Sequence, residues 1–335
     1  MIYRKLFLAA AGAAILASAP AAAQHTLRIG MVTINDPQHN FAKRYAEELE
    51  KRSGGKIKVQ VFPAAQLGKI PRQIENLKLG AQGGFISPPG FFSGINRAFQ
   101  VMDAPGLFKN FWHAHNTATS PEFREKYLRL AEKGGVIGAA IFNYGPTSIA
   151  SIKPIRKIDD MKGLKIRVLA TKMESKLAST LGMTGVPMPF SEVLPALQRK
   201  TIDGCRSSMV VMGALKFFTT TKYITQIESG NIPSALWISK RWLSKLPGDL
   251  QKTVLDTGRD LEKWAGKMAW DFNSKAVDLW KKNGAEVIRL SAADQAAVTS
   301  KLAPLGDEFL GSDPVTKDMY ALLKKVMAKT SDKQM

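Results

Sequence analysis

The sequence has little of what metal sites and thiol chemistry need. Its 335 residues include one cysteine, Cys205, and four histidines. A single cysteine excludes an intramolecular disulfide. His113 and His115 form the one close histidine pair, but side chains at i and i+2 of a helix point to different faces. We therefore predict no metal site, and we interpret Cys205 as a buried thiol in preference to a nucleophile.

Enzyme motifs are also missing. The chain contains no G-x-S-x-G elbow, no Walker phosphate loop, no G-x-G-x-x-G and no H-E-x-x-H. The sequence thus predicts no cofactor and no catalytic residues, and we expect a protein that is not an enzyme. A hydrolase or isomerase acting on a small organic anion is the alternative.

Acidic residues are scarce: 28 Asp and Glu stand against 48 Lys and Arg, a formal net charge of +20. Such an excess is typical of proteins that meet nucleic acid, anionic lipid or anionic ligands. The basic residues are spread along the chain without a polybasic tail, which favours a surface that attracts small anions. We expect no nucleic-acid partner. Binding of nucleic acid or lipopolysaccharide is an alternative that only the net charge supports.

Beyond the N-terminus, no stretch reaches the roughly 20 apolar residues of a membrane span. At the N-terminus, Arg4 and Lys5 precede a short apolar run, and residues 21–23 are all alanine. This order is typical of a secretory signal peptide. We expect residues 1–23 to be removed and the mature chain to be periplasmic, without membrane insertion. A membrane anchor is the alternative, which the short run disfavours.

Hydrophobic periodicity indicates an α/β protein. Strands are predicted near residues 27–31, 57–61, 85–87, 136–142, 164–169, 186–190, 205 and 235–239, and helices near 41–49, 70–77, 172–181 and 191–200. The initial order βαβαβ favours a mostly parallel sheet. Ser191 is a predicted helix N-cap, and Ser291 is the predicted start of a final helix. The apolar pattern from Leu250 to Leu279 predicts one long or kinked helix.

One charged side chain interrupts an apolar strand. Arg167 follows Ile166 and precedes Val168 and Leu169. A guanidinium is costly to bury unpaired. Arg167 therefore lies either at a surface edge of the sheet or opposite an anion, and the strand pattern alone leaves both open.

Five short motifs follow one another in a recognisable order. They are Gln66-Leu67-Gly68 with Glu75 and Leu79-Gly80, residues 103–108 (DAPGLF), residues 161–168 (MKGLKIRV), residues 187–193 (PMPFSEV) and residues 202–204 (IDG). Over about residues 27–309 the chain resembles the solute-binding subunit of tripartite ATP-independent periplasmic (TRAP) transporters, the DctP family.

The resemblance implies a two-lobed periplasmic binding protein fold with a long helix crossing both lobes. Lobe I is expected to comprise residues 24–146 and about 234–265, and lobe II residues 147–233 and about 266–325. The ligand cleft lies between them. The implied partners are a small organic acid and the membrane permease subunits of a TRAP transporter. A receptor for an ABC importer or a sensor kinase stays an alternative.

The resemblance also implies ligand-binding residues. Arg167 matches the family's arginine that pairs with the ligand carboxylate. Phe190 matches an aromatic that packs on the ligand, although ordinary core packing explains it equally well, and Glu75 matches a pocket-side acid that is otherwise a solvated helix residue. The remaining candidates share a place in or near the expected cleft: Ser207, Thr147, Ser148, Tyr144, His39, Asn40, Phe92 and Trp237.

Two positions depart from the family pattern. Many relatives carry a second arginine where this chain has Thr147, and a polar amide where it has Ser207. These departures put a dicarboxylate ligand in doubt. A monocarboxylate fits better, with keto, hydroxy, aromatic and sugar acids as candidates.

Overall fold

The fold is built from nine strands and twelve α-helices in a computed structural model that describes residues 25–334, except the side chain of residue 228. The predicted signal segment, residues 1–23, lies outside the described residues. The strands are β1 (His25–Gly30), β2 (Ile57–Phe62), β3 (Gly84–Ser87), β4 (Val136–Ser151), β5 (Lys165–Val168), β6 (Thr184–Pro187), β7 (Gly204–Ser208), β8 (Tyr223–Ser239) and β9 (Glu286–Arg289). The helices are α1 (Pro37–Arg52), α2 (Ile70–Leu79), α3 (Phe111–Thr119), α4 (Pro121–Tyr127), α5 (Lys172–Thr180), α6 (Phe190–Gln198), α7 (Met209–Ala214), α8 (Lys240–Leu243), α9 (Gly248–Asp260), α10 (Glu262–Lys282), α11 (Ala292–Leu302) and α12 (Lys317–Met327).

All nine strands join one mixed sheet in the order β2-β1-β3-β8-β4-β7-β5-β6, with β9 paired to β8. Strands β1, β2 and β3 are parallel to each other, and so are β5, β6 and β7. These two groups of strands are the two halves of the sheet. The expectation of a mostly parallel sheet holds within each half. It is wrong at the centre, because β4 runs antiparallel to both β7 and β8, and β3 runs antiparallel to β8.

The central strands are much longer than predicted. β4 has 16 residues and β8 has 17, and together they join the halves, because β8 pairs with β3 and β4 pairs with β7. The sequence prediction ended β4 at Phe142, where the continuous apolar run ends, and Gly145 and Pro146 beyond it are typical of turns. The structure keeps both inside the strand by shifting the pairing with β8 between Asn143 and Gly145, and again between Pro146 and Ser148. Gly145 has a φ of 153°, which glycine adopts readily.

The segment predicted as one long or kinked helix is kinked. α9 and α10 meet at Leu261, and α10 contacts α1, α7 and β4, so it packs on elements from both halves of the sheet. The two glycines of this segment are packing positions. A Cβ at Gly258 would lie 2.6 Å from the Ala139 carbonyl oxygen, and one at Gly266 would lie 2.4 Å from the His115 ring.

Two predicted helix starts have different outcomes. Ser291 is confirmed as an N-cap, because its hydroxyl accepts a hydrogen bond from the Asp294 N–H. Ser191 is wrong as an N-cap, since α6 begins at Phe190 after Pro189, whose fixed φ suits a helix start. The helix after Ser291 is also not the final one, because α12 follows it.

Cys205 and the histidine pair lie inside the protein. Cys205 is fully buried and reduced, as expected of a packing thiol. His113 hydrogen-bonds the Met327 carbonyl through Nε2, and His115 Nδ1 accepts from the Asn143 N–H at 3.4 Å. Over residues 25–334 there is no group of metal-ligating side chains and no helix long and apolar enough to span a bilayer.

Candidate functional site: a buried cavity at Arg167

Arg167 is a fully buried cation that forms no ion pair with a carboxylate of the described residues. Its side chain has 0% exposure, its Nε donates to the Met188 carbonyl at 3.3 Å, and its guanidinium carbon lies 4.7 Å from the centre of the Phe190 ring. Nη1 and Nη2 have no hydrogen-bond partner among the described residues. No carboxylate of these residues lies within ion-pair distance of the guanidinium. Burial lowers the pKa of Arg167, yet a guanidinium stays protonated in proteins.

The neighbouring thiol cannot neutralise this charge. Cys205 is the register partner of Arg167 across the β5–β7 pair. Burial raises the pKa of Cys205 to about 11, so the thiol stays protonated and neutral near pH 7. Beside this neutral thiol, the site presents the two NH2 groups of the guanidinium without an anionic partner among the described residues, and a carboxylate can pair with such groups in bidentate fashion.

A small cavity lies against this guanidinium. Its volume is about 40 Å³, room for about three water molecules. It is lined by Val32, Thr33, Gln38, Ile70, Pro88, Phe91, Tyr144, Arg167, Leu169, Phe190, Ser207, Val211 and Ile232. These residues come from both halves of the sheet, so the cavity sits where the halves meet.

Four of the eleven predicted site residues meet here: Arg167, Tyr144, Phe190 and Ser207. The Tyr144 hydroxyl donates to Asp36 at 2.9 Å and leaves its ring to the cavity. Ser207 follows Cys205 on the same face of β7, and its hydroxyl makes no hydrogen bond to the described residues. Phe190 begins α6 beneath the guanidinium.

Sequence reasoning missed the contribution of the segment after β1. Thr33 and Gln38 line the cavity and hydrogen-bond to each other at 3.1 Å, and Gln38 also donates to Ser234. A usable signal was present, since residues that follow the carboxyl end of a parallel strand commonly line a ligand site. The predicted pair in this region, His39 and Asn40, instead makes local contacts of α1, with Asn35 and Asp36 respectively.

Two predicted aromatics are core residues. Phe92 and Trp237 are fully buried, with ring centres 4.5 Å apart, and both pack on Phe99. Neither lines the cavity at Arg167, because their rings fill the apolar layer behind β3. We drop both from the candidate site.

Glu75 lies outside the cavity, at its mouth. Its side chain is 57% exposed and pairs with Lys78 on the same helix. The mouth is a separate pocket of about 440 Å³, with apolar walls from α2 on one side and residues 187–189 on the other. Across this opening, Lys69 and Glu192 form a salt bridge that joins the two halves.

Thr147 and Ser148 line a different pocket, of about 360 Å³, with residues 106–111. Thr147 accepts a hydrogen bond from Arg206, which also donates to Ser229 and pairs with Glu174. Asp103 is buried beside this group, and its pKa is raised well above its usual value, first by burial and then by the charge of Glu174.

Comparison with known proteins agrees with this geometry. The family described as bacterial extracellular solute-binding protein, family 7 (DctP) matches residues 30–313. The chain belongs to the DctP family. It is 28% identical to the 2,3-diketo-L-gulonate-binding periplasmic protein of Escherichia coli, with 94% of this chain and 96% of that protein covered. It is 29% identical to the C4-dicarboxylate-binding periplasmic protein of Rhodobacter capsulatus, with 92% and 94% covered.

Solved structures of DctP proteins share the fold. The sugar acid binding protein of Advenella mimigardefordensis in complex with galactonate matches with a TM-score of 0.86 and 26% identity, covering 92% of this chain and 99% of that one. The DctP family is made up of substrate-binding receptors. The two-lobed α/β fold expected from the sequence is confirmed.

Proposed function

We propose that this DctP protein captures a small organic acid in the periplasm and that Arg167 binds the ligand carboxylate. The observation that carries the proposal is the pair of unpartnered, fully buried Nη groups of Arg167. A buried cation without a counter-charge is costly, so an anionic ligand would gain both the ion pair and the relief of that cost. The ligands named for its relatives are also organic acids.

Capture requires movement of the two halves. The cavity of about 40 Å³ is too small for an organic acid to enter without separation of its walls. We divide the moving lobes where the sequence analysis did, at residues 146/147 and 233/234, which fall inside β4 and β8. Ligand binding would then shift the population from an open to a closed form, and the closed form would be the one delivered to the permease.

The rest of the proposal concerns export and chemistry. We propose that residues 1–23 direct the chain across the inner membrane and are removed after Ala23. Binding is reversible and no bond of the ligand is broken. The measurement is a search for turnover of any acid that binds, and release of the unchanged acid is the expected result.

The test of ligand capture is a thermal-shift screen of the mature protein against mono- and dicarboxylic acids, followed by calorimetry of the acids that stabilise it. We expect saturable binding of at least one acid by the wild type and no measurable binding by Arg167→Ala. Arg44→Ala is the matched control, because Arg44 is 46% exposed on α1 and makes only surface ion pairs. Equal affinity of wild type and Arg167→Ala would refute the role of Arg167.

A further inference from the structure

The wall of the cavity at Arg167 is mostly apolar. Eight of the thirteen lining residues are Val, Ile, Leu, Pro or Phe, and the ring of Tyr144 adds a further apolar surface. Val211 and Phe190 are less than a tenth exposed. Any ligand group that extends beyond the carboxylate therefore meets hydrocarbon.

The remaining polar groups are mostly occupied. Thr33 and Gln38 bond to each other, and the Tyr144 hydroxyl is bound to Asp36. Burial raises the pKa of Asp36. This carboxyl group is therefore less readily ionised than an exposed one. Besides the Arg167 guanidinium, the Ser207 hydroxyl makes no hydrogen bond to the described residues, and Gln38 Nε2 keeps one N–H after its bond to Ser234, so the described wall offers few groups to further ligand oxygens.

A second cation is missing from the described wall of the cavity. The other buried arginine nearby, Arg206, follows Cys205 in β7 and so faces the opposite side of the sheet from Ser207. There it is paired with Glu174 and bonded to Thr147 and Ser229. A second ligand carboxylate would be buried without a counter-charge.

We infer that the cavity selects a monocarboxylic acid with an apolar body and few additional oxygens, and rejects dicarboxylates and polyhydroxy acids. This inference rests on the proposed function and narrows its ligand class. Each ligand hydroxyl buried without a partner weakens binding by about tenfold or more. A sugar acid carries several such hydroxyls, so its affinity falls far below that of an apolar acid of similar size.

The experiment compares four probes by calorimetry with the mature protein: isovalerate, its neutral analogue isovaleramide, succinate and galactonate. We expect isovalerate to bind at least about 100-fold more tightly than succinate or galactonate, and isovaleramide not to bind. As a second variant, Ile232→Arg places a cation in the opposite wall and should narrow or reverse the preference for isovalerate over succinate.

The outcomes separate the two proposals. Tighter binding of succinate or galactonate than of isovalerate, lost in Arg167→Ala, would overturn the selectivity while leaving carboxylate capture in place. Tight binding of isovaleramide, or acid binding that Arg167→Ala leaves unchanged, would instead overturn the role of the guanidinium and with it the proposed function.

Discussion

Replacement of Arg167 by methionine should weaken ligand binding strongly while changing the stability of the ligand-free protein little. In the ligand-free protein the guanidinium is fully buried, and only its Nε is hydrogen-bonded. An apolar side chain of similar length removes the desolvation cost of the charge, and such replacements of buried charges are often neutral or stabilise by about 1–4 kcal/mol. The variant loses one bond to Met188, worth about 1.5–3 kcal/mol at most, and the contact with Phe190, worth about 1–2 kcal/mol.

We therefore expect the ligand-free melting temperature of Arg167→Met to stay within a few degrees of that of the wild type, because the gain and the losses are of similar size. Loss of two charge-assisted hydrogen bonds to a carboxylate, about 3–6 kcal/mol, should weaken acid binding by about 10²–10⁴-fold. Differential scanning calorimetry with and without a bound acid measures both quantities on one sample. A variant that melts several degrees lower without ligand would show that the protein itself satisfies the guanidinium, and the reasoning would fail.

Three other substitutions test neighbouring parts of the structure. Arg206→Met should lower the free energy of unfolding by about 3–5 kcal/mol in urea titrations, because Glu174 keeps a buried charge without its partner; a neutral result would contradict the buried ion pair. Glu192→Gln removes the salt bridge to Lys69. Because both side chains are largely exposed, the substitution should weaken ligand affinity by no more than severalfold, and only at low salt. A large, salt-independent loss of affinity would argue for a direct ligand contact. Burial lowers the pKa of His115 from 6.5 to about 4, so the unfolded chain binds this proton more readily and stability falls as pH drops from 6.5 to 4, by about 3 kcal/mol. The difference in unfolding free energy between wild type and His115→Asn should therefore shrink over that interval, and a constant difference would refute the assignment.

The sequence singled out the charged residue of the candidate cavity but not most of its walls. Arg167 was noticeable because a cation within an apolar strand is unusual, and its role as a ligand contact stays a prediction from the family motif. Tyr144 and Phe190, also predicted, line the same cavity. Phe92 and Trp237 were misplaced because aromatic identity does not reveal whether a ring faces a cleft or a core, and this depends on which neighbours pack behind the strand.

Contacts between distant segments account for the rest. Arg206 and Glu174 are 32 positions apart, and only the parallel arrangement of β5, β6 and β7 brings their elements together. No local sequence pattern predicts the pair of Arg206 and Glu174. Because Arg206 is paired, Arg167 is the buried arginine that is left for a ligand. In the same way, Gly145 and Pro146 are typical of turns. Their place within β4 depends on pairing with the distant strand β8.

The register shifts in β4 bear on how the proposed separation of the halves could occur. Because a pair of hydrogen-bonded strands crosses from one half to the other, sliding of the halves past each other would break the ladder, whereas bending at its irregular points would preserve it. Tyr144 lies at one of these points, between Asn143, which pairs with Pro233, and Gly145, which pairs with Ile232. If the halves bend there, one of the rings that line the cavity lies at the pivot, and the angle between the halves and the fit around a bound acid would change together.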